Sequence, residues 1–242
     1  MKKTFLNWSS GKDCAMALHL MQKSGEYKVQ KLFTTVGKDE KRIGMHGLRE
    51  EVLKRQAAAI GLPLEIAYLS KDDSHKAYNQ LMREKMTKLV GEGFQFAAYG
   101  DILLEDLRAY REKQLSEVGM KAHFPLWQKN TRELLLDFID KGFKAIVVAA
   151  SGNYFDNSVL GKEMNRDFLN ELPKEVDPCG ENGEFHTFCY DGPIFKQSID
   201  FSKVRKAIED ATTAQTSLNE LKQQNKTQKE ITETYNLNRS AI

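Results

Sequence analysis

Along the first hundred residues, short apolar runs alternate with longer stretches whose apolar positions recur every three to four residues. The runs are Thr4–Trp8, Lys31–Val36, Leu64–Leu69 and Phe94–Tyr99. Between them lie Ala15–Met21, a stretch through Leu48, Val52, Leu53 and Ile60 that stops at Gly61 and Pro63, and one carrying Tyr78, Leu81, Met82 and Leu89 that ends at Gly91 and Gly93. A period near 3.6 predicts helices, and apolar runs bounded by turn residues predict strands. Four strands separated by helices of this length need crossover connections, so a mostly parallel sheet covered on both faces is expected. Such sheets bind ligands at the carboxyl ends of their strands. Two turns, Ser9–Cys14 and Gly100-Asp101, each directly follow a strand and so fall on that one edge.

Beyond Gly119 the pattern changes. Ala122–Trp127 precedes a helical stretch through Leu134, Leu135, Phe138 and Ile139, the apolar run Ala145–Ala150 and a further helical stretch to Leu172. After the turn-rich Pro173–Gly183, the segment Glu184–Tyr190 alternates like a strand, with Glu184, His186 and Phe188 on one face and Phe185, Thr187 and Cys189 on the other. The expected organisation is α/β: residues 1–120, a smaller α/β unit over 121–201, and a polar helical tail over 202–242 that lacks Gly and Pro. In the tail, Leu218, Leu221, Asn225 and Gln228 form only a short stripe, enough to dock on a surface or pair two copies into a homodimer. Residues 227–240 resemble no more than the opening of a helix-turn-helix, so DNA reading is not expected.

Composition narrows the classes. Charged residues at 29% and hydrophobic ones at 40% describe an ordinary globular chain, and a formal charge of +2 leaves no bulk electrostatic footprint for nucleic acid or an anionic membrane. No apolar run approaches the roughly 18–20 residues that span a bilayer, and Met1-Lys2-Lys3 leads straight into the first strand, so a cytoplasmic protein is expected. Cys14, Cys179 and Cys189 are odd in number and contain no C-x-x-C pair, which argues against a disulfide framework and a structural zinc site.

The turn Ser9-Ser10-Gly11-Lys12-Asp13-Cys14 carries the first chemistry. Small residues between a strand and a helix let backbone N–H groups converge, and the helix dipole favours an anion there. Lys12 adds a cation and Asp13 a carboxylate. The segment lacks the Walker A spacing and is too short for G-x-G-x-x-G. Three further segments concentrate polar residues: Met45-His46-Gly47; Tyr99–Ile102 with Arg108, Arg111 and Glu112; and Asp177–Phe188, closed by Asp191–Phe195. Singly, each has an ordinary reading: Asp101 as a helix cap, Glu105, Arg108 and Arg111 as surface pairs, and the cysteines as inert thiols.

Together, in this order and spacing, the segments resemble the diphthine–ammonia ligase family of PP-loop proteins over residues 4 to about 200. Two departures lie in the loop, whose family form is SGGKDS: Ser10 replaces the middle glycine and Cys14 the final serine. A third is Gly180–Phe188, which in the diphthamide enzymes is closer to GEGGEYETL; this version looks like a bacterial branch. The resemblance implies a HUP/Rossmann-like PP-loop domain and an enzyme using ATP and Mg2+. A carboxylate attacks the α-phosphate, diphosphate leaves, and ammonia or a small amine displaces AMP from the acyl-adenylate. It also implies roles: Lys12, Asp13, Asp101, Glu181 and Glu184 in catalysis; Ser9, Ser10, Gly11, Lys12, Asp13, Cys14 and His46 on the nucleotide, with Asp13 on the metal; Gly100, Arg108, His186 and Thr187 on the substrate. A leaving diphosphate needs dense hydrogen bonding and positive charge, and magnesium needs hard oxygen ligands. Diphthamide belongs to archaeal and eukaryotic elongation factor 2, so the acyl substrate, a small molecule or a protein side chain, stays open. Two alternatives also stand: tRNA thiolation, for which Cys179 and Cys189 are the spare thiols, and a nucleotide sensor that does not turn over.

Overall fold

A computed structural model of the chain describes residues 1–44, 47–70 and 75–200. His46 and the 202–242 tail lie outside the described residues. Four strand–helix pairs open the chain: β1 (Lys2–Asn7) and α1 (Lys12–Ser24), β2 (Tyr27–Gly37) and α2 (Glu50–Ile60), β3 (Leu64–Leu69) and α3 (His75–Gly91), β4 (Phe96–Ala98) and α4 (Glu105–Ser116). The short strand β5 (Lys121–His123) follows. Gly61 ends α2 in the left-handed region (φ 83°), its N–H returned to the Ala57 carbonyl at 2.8 Å, as the glycine stop in the sequence predicts.

These strands form one five-stranded sheet in the order β3-β2-β1-β4-β5, and every pairing is parallel. The fold is a Rossmann-like α/β sheet. The chain winds outward from β1 to β3, then returns to the other side of β1 at β4. The crevice where winding reverses therefore lies between the carboxyl ends of β1 and β4, where the Ser9–Cys14 and Gly100-Asp101 turns leave the sheet.

The strand period assigns the two faces. Phe5 and Phe33 point to one, where Met86 and Leu89 of α3 and Leu115 of α4 cover them. Leu6 and Leu32 point to the other, against Leu18 and Met21 of α1 and Leu53 and Ala57 of α2. Each fully buried side chain of this size contributes about 1.5–3 kcal/mol. The second cluster continues through Leu135, Phe138, Val147 and Phe188, so the later part of the chain shares a core with one face of the sheet.

That later part holds α5 (Thr131–Asp140), β6 (Lys144–Ala150), a 3-10 turn (Asn157–Val159), α6 (Arg166–Glu171) and β7 (Phe185–Asp191). β6 and β7 pair antiparallel, with a register shift between Val147 and Ala149. Asn130 caps α5, its side chain accepting from the Glu133 N–H at 3.0 Å. The sequence reading puts residues 121–123 in the second unit, yet they form the edge strand of the first sheet, in register with Phe96–Ala98. Three residues are too few to show a strand period. Among the described residues, no helix is long and apolar enough to cross a membrane.

Candidate active site

The β1–α1 turn is held from below by one amide. Gln56, fully buried on α2, accepts from Trp8 Nε1 (2.6 Å) and donates from Nε2 to the carbonyls of Ser10 (3.0 Å) and Cys189 (2.6 Å). The Cys189 N–H donates to the same Ser10 carbonyl at 2.9 Å. Ser10 is completely buried with φ 75°, a left-handed conformation that costs a non-glycine residue about 1–2 kcal/mol. Its Oγ is buried and has no hydrogen-bond partner among the described residues. Gly11, extended (φ −82°, ψ 177°), stands at the N-cap of α1 and leaves the helix start without a side-chain cap. Cys14 Sγ donates to the Gly11 carbonyl at 3.1 Å, and burial pushes its thiol up to about 12.

At the neighbouring strand end, Gly100 lets α1 and β4 touch. A Cβ there would lie 2.9 Å from the Cys14 backbone nitrogen and 3.0 Å from the Asp13 carbonyl carbon. Next to it, Asp101 pairs with Arg111 (Nε to Oδ2, 3.0 Å), whose guanidinium lies 4.1 Å from the Tyr99 ring centroid. Burial raises the Asp101 pKa against the pull of Arg111, and Asp13 adds to the rise. Arg108, assigned to the substrate by resemblance, instead pairs with Glu112 (2.8 Å) and lies over Trp127 and Phe124, 4.6 and 5.3 Å from their centroids. The inward arginine is Arg111, one helical turn later. The sequence offers both at helical spacing and does not say which one turns in.

The later part of the chain completes the cluster. Lys12 Nζ donates to the Cys179 carbonyl, pairs with Asp13 Oδ2 at 2.9 Å and lies 5.4 Å from the Phe185 ring centroid; its side chain is 4% exposed. Burial is the largest single influence and opposes the charged amine, but the charges of Asp13, Cys179 and Glu181 and the hydrogen bond to Asp13 together outweigh it and leave the Lys12 pKa above its ordinary value. Asp13 is itself raised, burial exceeding the pull of Lys12. The Lys12 N–H, at the start of α1, donates to Thr187 Oγ1 at 3.1 Å. Glu181 Oε2 accepts from the N–H groups of Ile102 (3.1 Å) and Leu103 (3.2 Å), joining the glycine-rich loop to the β4–α4 turn. Burial first, then the negative charge of Asp13, raises its pKa to about 7.

Glu184 behaves differently from the catalytic carboxylate the resemblance implies. It is 1% exposed, and its oxygens accept from the Asp177 N–H (3.0 Å), the Asn182 N–H (2.9 Å) and Asn182 Nδ2 (3.0 Å). Burial raises its pKa, but these bonds outweigh it and leave the pKa lowered, so Glu184 shapes the loop as a fixed carboxylate. Asp177, which the sequence reading leaves without a role, shapes it too: Oδ1 accepts from Cys179 N–H (2.8 Å) and Oδ2 from Thr131 Oγ1 (2.7 Å). An Asp-Pro turn is its only signal in the sequence. His186 is half-buried, and burial with the nearby Lys12 charge lowers it to about 4, so it is neutral at pH 7. The structure thus gathers the Ser9–Cys14 turn, Gly100, Asp101, Glu181, His186 and Thr187, places Arg108 over Trp127 and Phe124, and binds Glu184 within the loop that meets Lys12.

The result is one buried ammonium, Lys12, near the carboxylates of Asp13, Asp101 and Glu181, beside a helix start whose first N–H meets Thr187 and a hydroxyl, that of Ser10, with no partner among the described residues. This suits an anion brought in with a cation. Among the described residues no group of three or more His, Cys, Asp or Glu could hold a metal ion by itself. One carboxylate at the cleft nonetheless fits a magnesium ion whose other ligands are phosphate oxygens and water. The three thiols are buried; burial raises Cys179 and Cys189 as it does Cys14.

A family model described as the diphthamide synthase N-terminal domain matches residues 1–122, just over half of the chain, and one described as the diphthamide synthase C-terminal domain matches residues 130–223. The chain belongs to the diphthamide synthase family. The second match runs past Ser202 into the stretch that the sequence reading sets apart as a tail. Proteins named diphthine–ammonia ligase are similar to it: that of Schizosaccharomyces pombe is 30% identical over 145 residues, 58% of this chain and 23% of that protein. The Bos taurus protein is 32% identical over 125 residues, 50% of this chain and 45% of that one. The Danio rerio protein is 30% identical over 163 residues, 59% and 62%. The chain therefore spans less than two thirds of the length of each of these relatives. A U34-tRNA thiolase from Methanococcus maripaludis is similar in structure, with a TM-score of 0.35 and 18% identity over 57% of this chain and 56% of that one.

Proposed function

We propose that this member of the diphthamide synthase family is an ATP-dependent ligase that joins a carboxylate to ammonia or a small amine, releasing AMP and diphosphate. The observation that carries the reading is the Ser9–Cys14 turn. It combines a left-handed, buried Ser10 whose hydroxyl has no partner among the described residues, a helix start that its own N-cap Gly11 leaves without a side-chain cap, and a charged lysine at the β1/β4 crevice. In this reading the hydroxyls of Ser9 and Ser10 and the start of α1 hold the leaving diphosphate, and Lys12 supplies fixed positive charge. Asp13 holds magnesium, which when bound neutralises phosphate charge.

Glu181, with a pKa near that of the medium, is suited to take a proton from the incoming ammonium. Asp101, fixed by Arg111, orients the amine, and Thr187 keeps the second half seated on the helix start. Residues 1–120 then bind the nucleotide, 121–201 add the glycine-rich loop, and 202–242 lie outside the chemistry. The acyl substrate remains a carboxylate on a small molecule or a protein side chain. The cysteines weigh against sulfur delivery, because a persulfide carrier needs an accessible thiolate and all three are buried with raised pKa values.

The test is product analysis. The full chain is incubated with MgATP, ammonium and a panel of carboxylates, beside Lys12→Ala. AMP with diphosphate, lost in the variant, is the expected result. ADP with phosphate overturns the reading, and tight ATP binding with no product in any arm supports the sensor instead.

A further inference from the structure

Beneath the Ser9–Cys14 turn, Trp8, Gln56, Ser10 and Cys189 form a polar chain in which every residue is buried. The indole N–H only donates and the two backbone carbonyls only accept, so the Gln56 amide has a single orientation. Its Oε1 faces Trp8 at 2.6 Å, and its Nε2 faces the carbonyls of Ser10 at 3.0 Å and Cys189 at 2.6 Å. The Cys189 N–H adds a second donor to the Ser10 carbonyl at 2.9 Å, one for each lone pair. The carbonyl is therefore pinned toward α2 and β7.

That carbonyl shares a planar peptide with the Gly11 N–H. The bond is trans, and in a trans peptide the C=O and the following N–H point in opposite directions. Two donors that hold the carbonyl toward α2 and β7 thus hold the Gly11 N–H away from both. Gly11 is buried, and its N–H has no hydrogen-bond partner among the described residues. On the adjoining residue, the Ser10 Oγ is also buried and without a partner among them. Two unsatisfied donors on adjoining residues, at a backbone position with φ 75°, make a seat for an anionic oxygen. A serine freed from that φ relaxes by turning the peptide over. The turn would then present a carbonyl, an acceptor, where the N–H now lies, and repel the anion.

We propose that Gln56 is a positioning residue for the leaving diphosphate, acting through the Ser10–Gly11 peptide: it keeps the N–H side of that peptide toward the anion and the carbonyl side away. The proposal rests on the reading of the Ser9–Cys14 turn as an ATP site, and it adds a residue that works from behind the turn without touching the nucleotide. Trp8 sets the direction of the amide. Cys189 shares its load on the carbonyl, which ties the peptide to β7 as well as to α2.

Calorimetric titration of the full chain with magnesium diphosphate, MgATP and AMP reads the role, each protein first shown to be folded by its urea transition. Gln56→Met removes the whole hydrogen-bonding amide at similar volume. Gln56→Glu keeps the acceptor for Trp8, offers at most one donor, and serves where the methionine variant does not fold. Either variant is expected to bind magnesium diphosphate and MgATP about 10-fold more weakly than wild type. AMP, which lacks the leaving group, should bind both variants as it binds wild type. Unchanged affinity for diphosphate and MgATP in a folded variant overturns the positioning role and leaves the ATP site standing. An equal loss for all three ligands shows that Gln56 only supports the fold, and overturns it too. Failure of the folded wild type to bind any of the three overturns the ATP-site reading and this proposal with it.

Discussion

Ser10 sits in a left-handed conformation, its hydroxyl without a partner among the described residues, where the PP-loop pattern has glycine. Two substitutions separate these features. Ser10→Ala keeps the strain and removes the buried hydroxyl, which costs about 1–3 kcal/mol when unpaired. Ser10→Gly also removes strain of about 1 kcal/mol, but glycine gives back about 0.5–1 kcal/mol in backbone entropy. Both variants should therefore be more stable than wild type without nucleotide, by about 1–3 kcal/mol and by similar amounts. For a fold of this size that is a rise in Tm of about 2–4 °C per kcal/mol.

The assay is urea unfolding and calorimetry, repeated with saturating MgATP. A ligand stabilises the folded state in proportion to the logarithm of its affinity. If the hydroxyl bonds a phosphate oxygen, both variants gain less from MgATP, by about 1.4 kcal/mol for each tenfold loss of affinity. Variants less stable than wild type without nucleotide would show that the hydroxyl is already satisfied, and the argument from strain and burial would fail. An undiminished gain from MgATP would remove Ser10 from the nucleotide site.

Other perturbations probe the supports of the site. Gln56→Leu leaves the Trp8 N–H and the Ser10 and Cys189 carbonyls without this partner, and should destabilise by about 3 kcal/mol or more in urea unfolding. Gly100→Ala drives a Cβ into the backbone of α1, so a melting temperature and MgATP affinity equal to wild type would contradict the contact. Glu181 has a raised folded pKa of about 7; its stabilising contribution is complete below the unfolded value near 4.5 and is lost as pH rises through 7. Glu181→Gln keeps an acceptor for Ile102 and Leu103, so it should match wild type in acid and exceed its stability by about 1–3 kcal/mol at pH 8. If Glu181 takes the ammonium proton, the rise in rate through pH 7 should also disappear in that variant. Native protein should resist thiol reagents at all three cysteines until it unfolds, and Cys179→Ala should retain AMP formation; loss of that activity would favour the sulfur reading.

The sheet was legible where apolar runs were long and bounded by glycine or proline: the run Leu64–Leu69 is β3 residue for residue, and Gly61 marks the end of α2. It was illegible at β5, where three residues carry no period. In the site, position along a parallel sheet placed the Ser9–Cys14 and Gly100-Asp101 turns together, because strand ends fix loops before any side chain is considered. Side-chain direction was not available in the same way. Arg108 and Arg111 are alike in sequence and differ only in what each helix face meets. The Glu184–Tyr190 alternation gave the right strand, but it did not show that the Glu184 carboxylate closes its own loop. Gln56 carried no signal, since an amide in an amphipathic helix reads as surface until a tryptophan and two carbonyls are found around it.

The contacts of the Ser9–Cys14 turn explain why a boundary near residue 120 divides the sequence more cleanly than it divides the site. Lys12 keeps its charge out of water with one partner from its own turn, Asp13, and one from the later chain, the Cys179 carbonyl. The start of α1 finds Thr187, and the Ser10 carbonyl takes the Cys189 N–H alongside Gln56. Remove the later chain, and a buried ammonium, a helix N–H and the seat of a strained loop all lose partners at once. Each such loss costs about 1–3 kcal/mol, more where the group is charged. The turn that the sequence places in the first half therefore takes its geometry from β7 and the glycine-rich loop, which makes the second half part of the same site rather than a neighbour of it.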